Sequence, residues 1–166
     1  MSTATPESAS LASRAAAIAA RLSTACITLP PLAIPAAAYV PFVRTGDLIF
    51  VSGHIAKRDG KPWVGQLGAD TDTATGKSAA RAVAIDLLGT LAVAAKGLEH
   101  VVRIVKVMSL VNSTPAYTEQ HLVTNGASEL LGEILGDVGV HARSAFGVAQ
   151  LPLGACVEIE LIAQVA

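Results

Sequence analysis

The sequence predicts an α+β domain: one mostly mixed β-sheet with helices packed on one face. Three observations predict it. Segments of strand composition stand before and after segments of helical period, in the order α-βββ-α-β-α-ββ. Residues 101–111 carry apolar side chains in both registers, as in a strand covered on both faces. The last segment alternates strictly, with Val157, Ile159, Leu161, Ala163 and Val165 on one face and Cys156, Glu158, Glu160 and Gln164 on the other. One face of the sheet therefore belongs to the core. The other is half polar and needs a different cover, which a subunit partner would supply.

At 166 residues the chain is expected to form one folding unit. It is 52% hydrophobic and 15% charged, a thin polar surface for a monomer, which points to a homo-oligomer. The net charge is −1 and the basic residues are scattered singly, so the stripe or patch expected of a nucleic-acid partner is missing. Cys26 and Cys156 fit neither a disulfide framework nor a metal spacing, and Cys156 reads as a space-filling strand residue. No apolar run approaches the length that reads as a membrane span. The Ala- and Ser-rich start, with Arg14 and Arg21, faintly suggests a transit peptide, but an amphipathic helix is the preferred reading. The expectation is a soluble cytoplasmic protein.

Taken in order, Leu11, Ala15, Ile18 and Leu22 fall on one face of an N-terminal helix, with residues 1–10 loose before it. Leu29-Pro30-Pro31 and Pro35 form a linker, so residues 1–35 read as a helical extension and 36–166 as the main domain. Residues 39–44 and 47–52 are strands joined by the tight-turn pair Thr45-Gly46, and Gly53 ends the second. Asp59-Gly60 marks another turn, followed by a short strand over 62–66. Candidate N-caps at 70–75 open a long helix in which Ala80, Ala84, Leu87, Leu88, Leu91 and Ala95 recur at helical period, and Gly97 stops it. A strand over 101–111 and a helix over 118–135, ended by Gly136, come next.

The stretch from Arg143 to Glu160 reads as a hairpin turning at Leu151-Pro152-Leu153-Gly154. Arginine is always charged and its planar fork matches a carboxylate, while glutamate can orient or deprotonate water. Together they suggest a site for hydrolysis of a small carboxylic acid. In this hairpin Arg143 pairs with Ile162 and shares the half-polar face with Glu160 and Glu158. Arg143 and Glu158 are then roughly 13 Å apart at about 3.3 Å per residue, too far for one small ligand, unless a neighbouring subunit brings its own Glu158 to Arg143. An ion pair of Arg143 with Glu160 or Glu158 is the structural alternative.

These residues resemble the RidA/YjgF family of reactive intermediate (imine) deaminases, also called endoribonuclease L-PSP-like. The resemblance is carried by Arg143-Ser144, Leu151-Pro152 and Val157-Glu158-Ile159-Glu160, by Tyr39 with Phe50-Val51-Ser52-Gly53, and by the segment from Val123 to Leu131. It implies a chorismate-mutase-like fold, a homotrimer whose other sheet faces form a central barrel, and clefts between subunits. It further implies that Arg143 grips the substrate carboxylate and that Glu158 holds or activates the attacking water. Tyr39, Ser52 and Gly53 would line the cleft, Asn125 would order it near the arginine, and Ala145 would stand where the family often has Cys. The reaction implied is hydrolytic deamination of 2-imino or enamine acids to 2-keto acids and ammonia, with no metal or organic cofactor.

Other readings of the same residues are a small-carboxylate-binding or regulatory trimer without turnover, and RNA cleavage, against which the missing basic patch argues. Tyr39, Ser52, Gly53 and Asn125 can each be purely structural. His54, where the family often has Gln, can join catalysis or pack at the sheet edge. Gly76-Lys77-Ser78 lacks the upstream glycine of a phosphate-binding loop, and the four histidines show no zinc spacing.

Overall fold

The computed structural model describes residues 6–32 and 38–166; Pro35 of the expected linker and residues 1–5 lie outside them. Helix α1 (Pro6–Thr24) begins earlier than its apolar stripe suggests. Ile18 is buried and Leu22, Ala25, Ile27 and Leu29 pack against the core, so the helix is seated on the body. Two arginines hold it there: Arg14 donates to the carbonyl of Val101, and Arg21 to that of Ile134 at 3.2 Å.

Strands β1 (Phe42–Thr45) and β2 (Leu48–Ile55) form the expected hairpin, with Gly46 at φ +55°, a conformation that glycine adopts without steric cost. Gly53 does not end β2. The strand runs on to Ile55 through a bulge between Val51 and His54. The turn at Asp59-Gly60 joins the two-residue strands β3 (Lys57–Arg58) and β4 (Lys61–Pro62), shorter than the strand expected over 62–66.

Helix α2 (Thr73–Ala95) starts at Asp72, whose carboxylate accepts from the Thr75 amide at 2.7 Å. It closes on Lys96 in the left-handed region at φ 60°, one residue before the expected Gly97. By length and composition α2 is apolar enough to cross a membrane, contrary to the sequence expectation. Its residues Val83, Leu87, Leu88 and Leu91 are wholly buried against the sheet and neighbouring helix, which makes it the central core helix. Burial of each such leucine contributes about 1.5–3 kcal/mol.

Strand β5 (Val101–Asn112) leads to helix α3 (Gln120–Leu135), then β6 (Ala142–Val148) and β7 (Val157–Val165). Helices α2 and α3 cross closely at Gly126, where an added Cβ would lie 1.9 Å from the backbone oxygen of Lys77. The five-stranded sheet has the order β1-β2-β7-β5-β6, antiparallel except for the β5–β6 pair. In β7 the alternation is as read, and Val157, Ile159, Leu161, Ala163 and Val165 are all buried beneath the helices.

The terminal hairpin is corrected. Strands β6 and β7 do not pair; β5 lies between them. Val107 of β5 is level with Arg143 on one side and Leu161 on the other, so Arg143 belongs to the helix-covered face rather than the half-polar one. Local turn residues specify that two strands reverse direction, but not whether a third enters between them.

Candidate active site

The residues singled out in the sequence fall into two groups on opposite faces of the sheet, one on edge strand β6 and one around β2 and β7. On edge strand β6, the Arg143 side chain lies against α3. Its Nη1 donates to Oδ1 of Asn125 at 2.8 Å and to the Ser128 hydroxyl at 3.2 Å, and its Nη2 donates to the carbonyl of His121 at 3.2 Å. Asn125 and Ser128 are three residues apart on one helix face, which is why both reach the same nitrogen. A guanidinium has five N–H donors. With three engaged by α3, two remain for a ligand. Ala145 is two residues along β6 on the same face, level with Ser109 of β5. A hollow opens beside the arginine, lined by Ser128, Gly132, Gly139, Val140, His141 and Arg143.

The second group is on the uncovered face, around β2 and β7. Ser52 is tied to the chain before β1: its amide donates to the Pro41 carbonyl at 3.0 Å and its hydroxyl to that of Val40 at 2.6 Å. Tyr39, 53% exposed, and Ser52 line a second hollow with Phe50, Glu160 and Ile162. Glu160, rather than Glu158, faces them there. Glu158 sits over Gly53, where an added Cβ would lie 2.2 Å from its Oε1, so the glycine makes room for the carboxylate. Partial burial, and then the negative charge of Glu160, push the Glu158 carboxyl above its ordinary value.

Arg143 and Glu158 are therefore not brought together within the chain. They are on opposite faces, three residue rows and two strand spacings apart, which is about 10 Å in each direction. An ion pair of Arg143 with Glu158 or Glu160 is not formed among the described residues.

His54 turns to the helix side, level with Ile159. Its Nδ1 lies 2.8 Å from the Ser52 carbonyl, and its Nε2 lies 2.9 Å from the Thr90 hydroxyl of α2. Burial lowers its pKa. A carbonyl only accepts, so Nδ1 carries the proton and the ring braces the bulge that holds Ser52 and Gly53.

Residues 19–165 match the family model described as "YjgF/chorismate mutase-like, putative endoribonuclease". The chain belongs to this family. Protein TCP17 of Trypanosoma cruzi is 44% identical over 149 residues, covering 89% of this chain and 93% of that protein. Among solved structures, Atu1372 of Agrobacterium tumefaciens, of unknown function, has a TM-score of 0.88 at 39% identity, covering 96% of this chain and 99% of its own. A Shewanella oneidensis protein described as a "putative endoribonuclease" has a TM-score of 0.85 at 29% identity, covering 89% and 99%.

Within this YjgF-family fold, sequence reasoning missed Ser128 and His141. The signal was present: His141 stands two residues before Arg143, immediately ahead of β6, and Ser128 stands one helical turn after Asn125.

Proposed function

We propose that the chain hydrolyses 2-imino acids and their enamine tautomers to 2-keto acids and ammonia, in clefts between the subunits of a homotrimer. The observation that carries the reading is the clamped guanidinium of Arg143, which keeps two N–H donors for a small carboxylate. Binding the carboxylate places the adjacent C=N carbon, and much of the rate can then come from positioning.

The two groups supply complementary halves. One holds Arg143 and Asn125, the other Tyr39, Ser52, Gly53 and Glu158, and one chain cannot present both to one ligand. A head-to-tail arrangement of copies that closes into a ring joins the halves. It also covers the open face, where Phe50 and Phe146 are exposed and Met108, Leu110 and Ile162 half-buried.

Glu158, with its raised pKa, suits a base that holds water. It takes a proton from water as the water oxygen bonds to the carbon of the protonated imine and the C=N π pair moves onto nitrogen, giving a neutral carbinolamine. That proton passes to nitrogen, the C–N bond breaks with release of ammonia, and the hydroxyl proton returns to Glu158 as the C=O bond of the 2-keto acid forms. Neither step requires an oxidant.

The test is ammonia and 2-keto acid release from 2-aminoacrylate generated in situ, with wild type and Arg143→Ala compared. A wild-type rate that Arg143→Ala retains removes the mechanism. Carboxylate binding without turnover would instead mark a binding trimer. RNA cleavage, the activity named for some relatives, is checked with the same two proteins.

A further inference from the structure

Beside Arg143, the hydrogen bonds of Ser128 and His141 have one consistent direction. His141 Nδ1 lies 2.6 Å from the Gly139 carbonyl. That oxygen can only accept, so the proton is on Nδ1 and the neutral ring offers a lone pair at Nε2. Ser128 Oγ lies 3.0 Å from Nε2, so the hydroxyl donates to the ring. The same oxygen accepts from Arg143 Nη1 at 3.2 Å. While His141 is neutral, the Ser128 proton is therefore engaged by the ring and not free for a ligand in the hollow that these three residues line.

We propose that Ser128 and His141 complete the anion pocket of Arg143, with His141 acting as a positioning residue that sets where the Ser128 proton points. Once His141 is protonated, Nε2 becomes a donor to Ser128 Oγ. The hydroxyl then accepts from both His141 and Arg143, and its own proton turns to a carboxylate in the hollow. A second positive charge arrives beside the first. Carboxylate binding and protonation of His141 thus favour one another, and bound ligand raises the affinity of the ring for its proton.

The surroundings set the direction of the effect. Burial, and the charge of Arg143, hold His141 below the ordinary histidine value in the free protein. The other charged or titratable groups on the packed elements are His121, Glu129 and Glu133 on α3, Asp137 in the following turn, Arg103 and Lys106 on β5, and Arg21 of α1 at the C-terminal end of α3. Glu129 and Glu133 are paired with Lys77 and Arg81 of α2, and Lys106 donates to Ser144 at 2.7 Å on the uncovered face. Arg143, rather than any of these, is the group whose charge bears on His141.

The inference rests on the carboxylate reading of Arg143, and pyruvate, ionised across the range used, is the probe. Its Kd is measured between about pH 7 and about pH 5, where a histidine titrates, for wild type, His141→Gln, Ser128→Ala and Arg143→Ala. The His141 ring is titrated by NMR with and without pyruvate, and thermal melts confirm folding. Wild type is expected to bind about threefold or more tighter per pH unit of acidification, up to the tenfold limit for one linked proton. His141→Gln should flatten this slope. Pyruvate should raise the His141 pKa in wild type, and Ser128→Ala should shrink that rise. Tight binding that needs Arg143, with equal slopes in wild type and His141→Gln or an unmoved His141 pKa, overturns the inference alone. Absence of pyruvate binding at every pH overturns the carboxylate reading and this inference with it.

Discussion

Glu158 rests directly over Gly53, and the space its carboxylate occupies is the space a Cβ on residue 53 would take. The backbone there is not left-handed, so alanine is tolerated by the strand, and the clash falls on the mobile end of a side chain. Gly53→Ala is therefore expected to cost less than about 1 kcal/mol in stability. It should also displace the carboxylate enough to lower kcat by about 10²-fold. Paired urea melts and deaminase assays measure the two effects. A large loss of stability would contradict a clash borne by the mobile end of Glu158, and full activity would contradict the proposed role of Glu158 in catalysis.

The pH profile depends on Glu160. Its negative charge is the second cause, after burial, of the raised Glu158 pKa. A base works ionised, so the acid limb of kcat should lie above the ordinary carboxylate range. Glu160→Gln should move that limb to lower pH without restoring the ordinary value, since burial persists. The sign for stability is opposite in sense: a raised carboxyl pKa contributes stability below the unfolded value that is lost as pH rises through the folded one. Glu158→Gln should therefore raise Tm at neutral pH more than at about pH 3.

Asn125 fixes the attitude of Arg143 through the shortest of its three hydrogen bonds. Asn125→Ala should raise KM by about tenfold, the scale of one charge-assisted hydrogen bond, while kcat changes less. Arg143→Lys keeps the charge but loses the fork, and should cost about 10²-fold in kcat/KM. A lysine variant equal to wild type would show that charge alone suffices.

At Gly126 helix α3 faces the backbone of α2, and backbone cannot give way as a side chain can. Gly126→Ala places its Cβ 1.9 Å from the Lys77 oxygen. The expected cost is about 3 kcal/mol, near the upper end for overpacked cores, read from the urea midpoint. A midpoint unchanged from wild type would show that the helices separate freely.

Much of this fold was legible because its signals are local. The helix over 118–135 was found as Gln120–Leu135, and the strand over 101–111 as Val101–Asn112. Apolar period and flanking glycines are enough for elements of that length. The β2 bulge was not legible, because Gly53 is equally a strand end and a strand kink until Glu158 is seen above it. The pairing of β6 was illegible for a different reason: only the long-range docking of β5 decides it. That single error moved Arg143 to the wrong face. The separation of Arg143 from Glu158 is stricter than the inferred one, because the two lie on opposite faces of the sheet.

Edge strand β6 gives Arg143 an open flank. In the proposed trimer a cleft finished by a neighbour is a property of the assembly, so dilution is a form of inhibition. On that proposal, specific activity should hold constant above the dissociation constant of the assembly and fall steeply below it. A cell that makes too little of this chain would then lose more than its proportionate share of the activity.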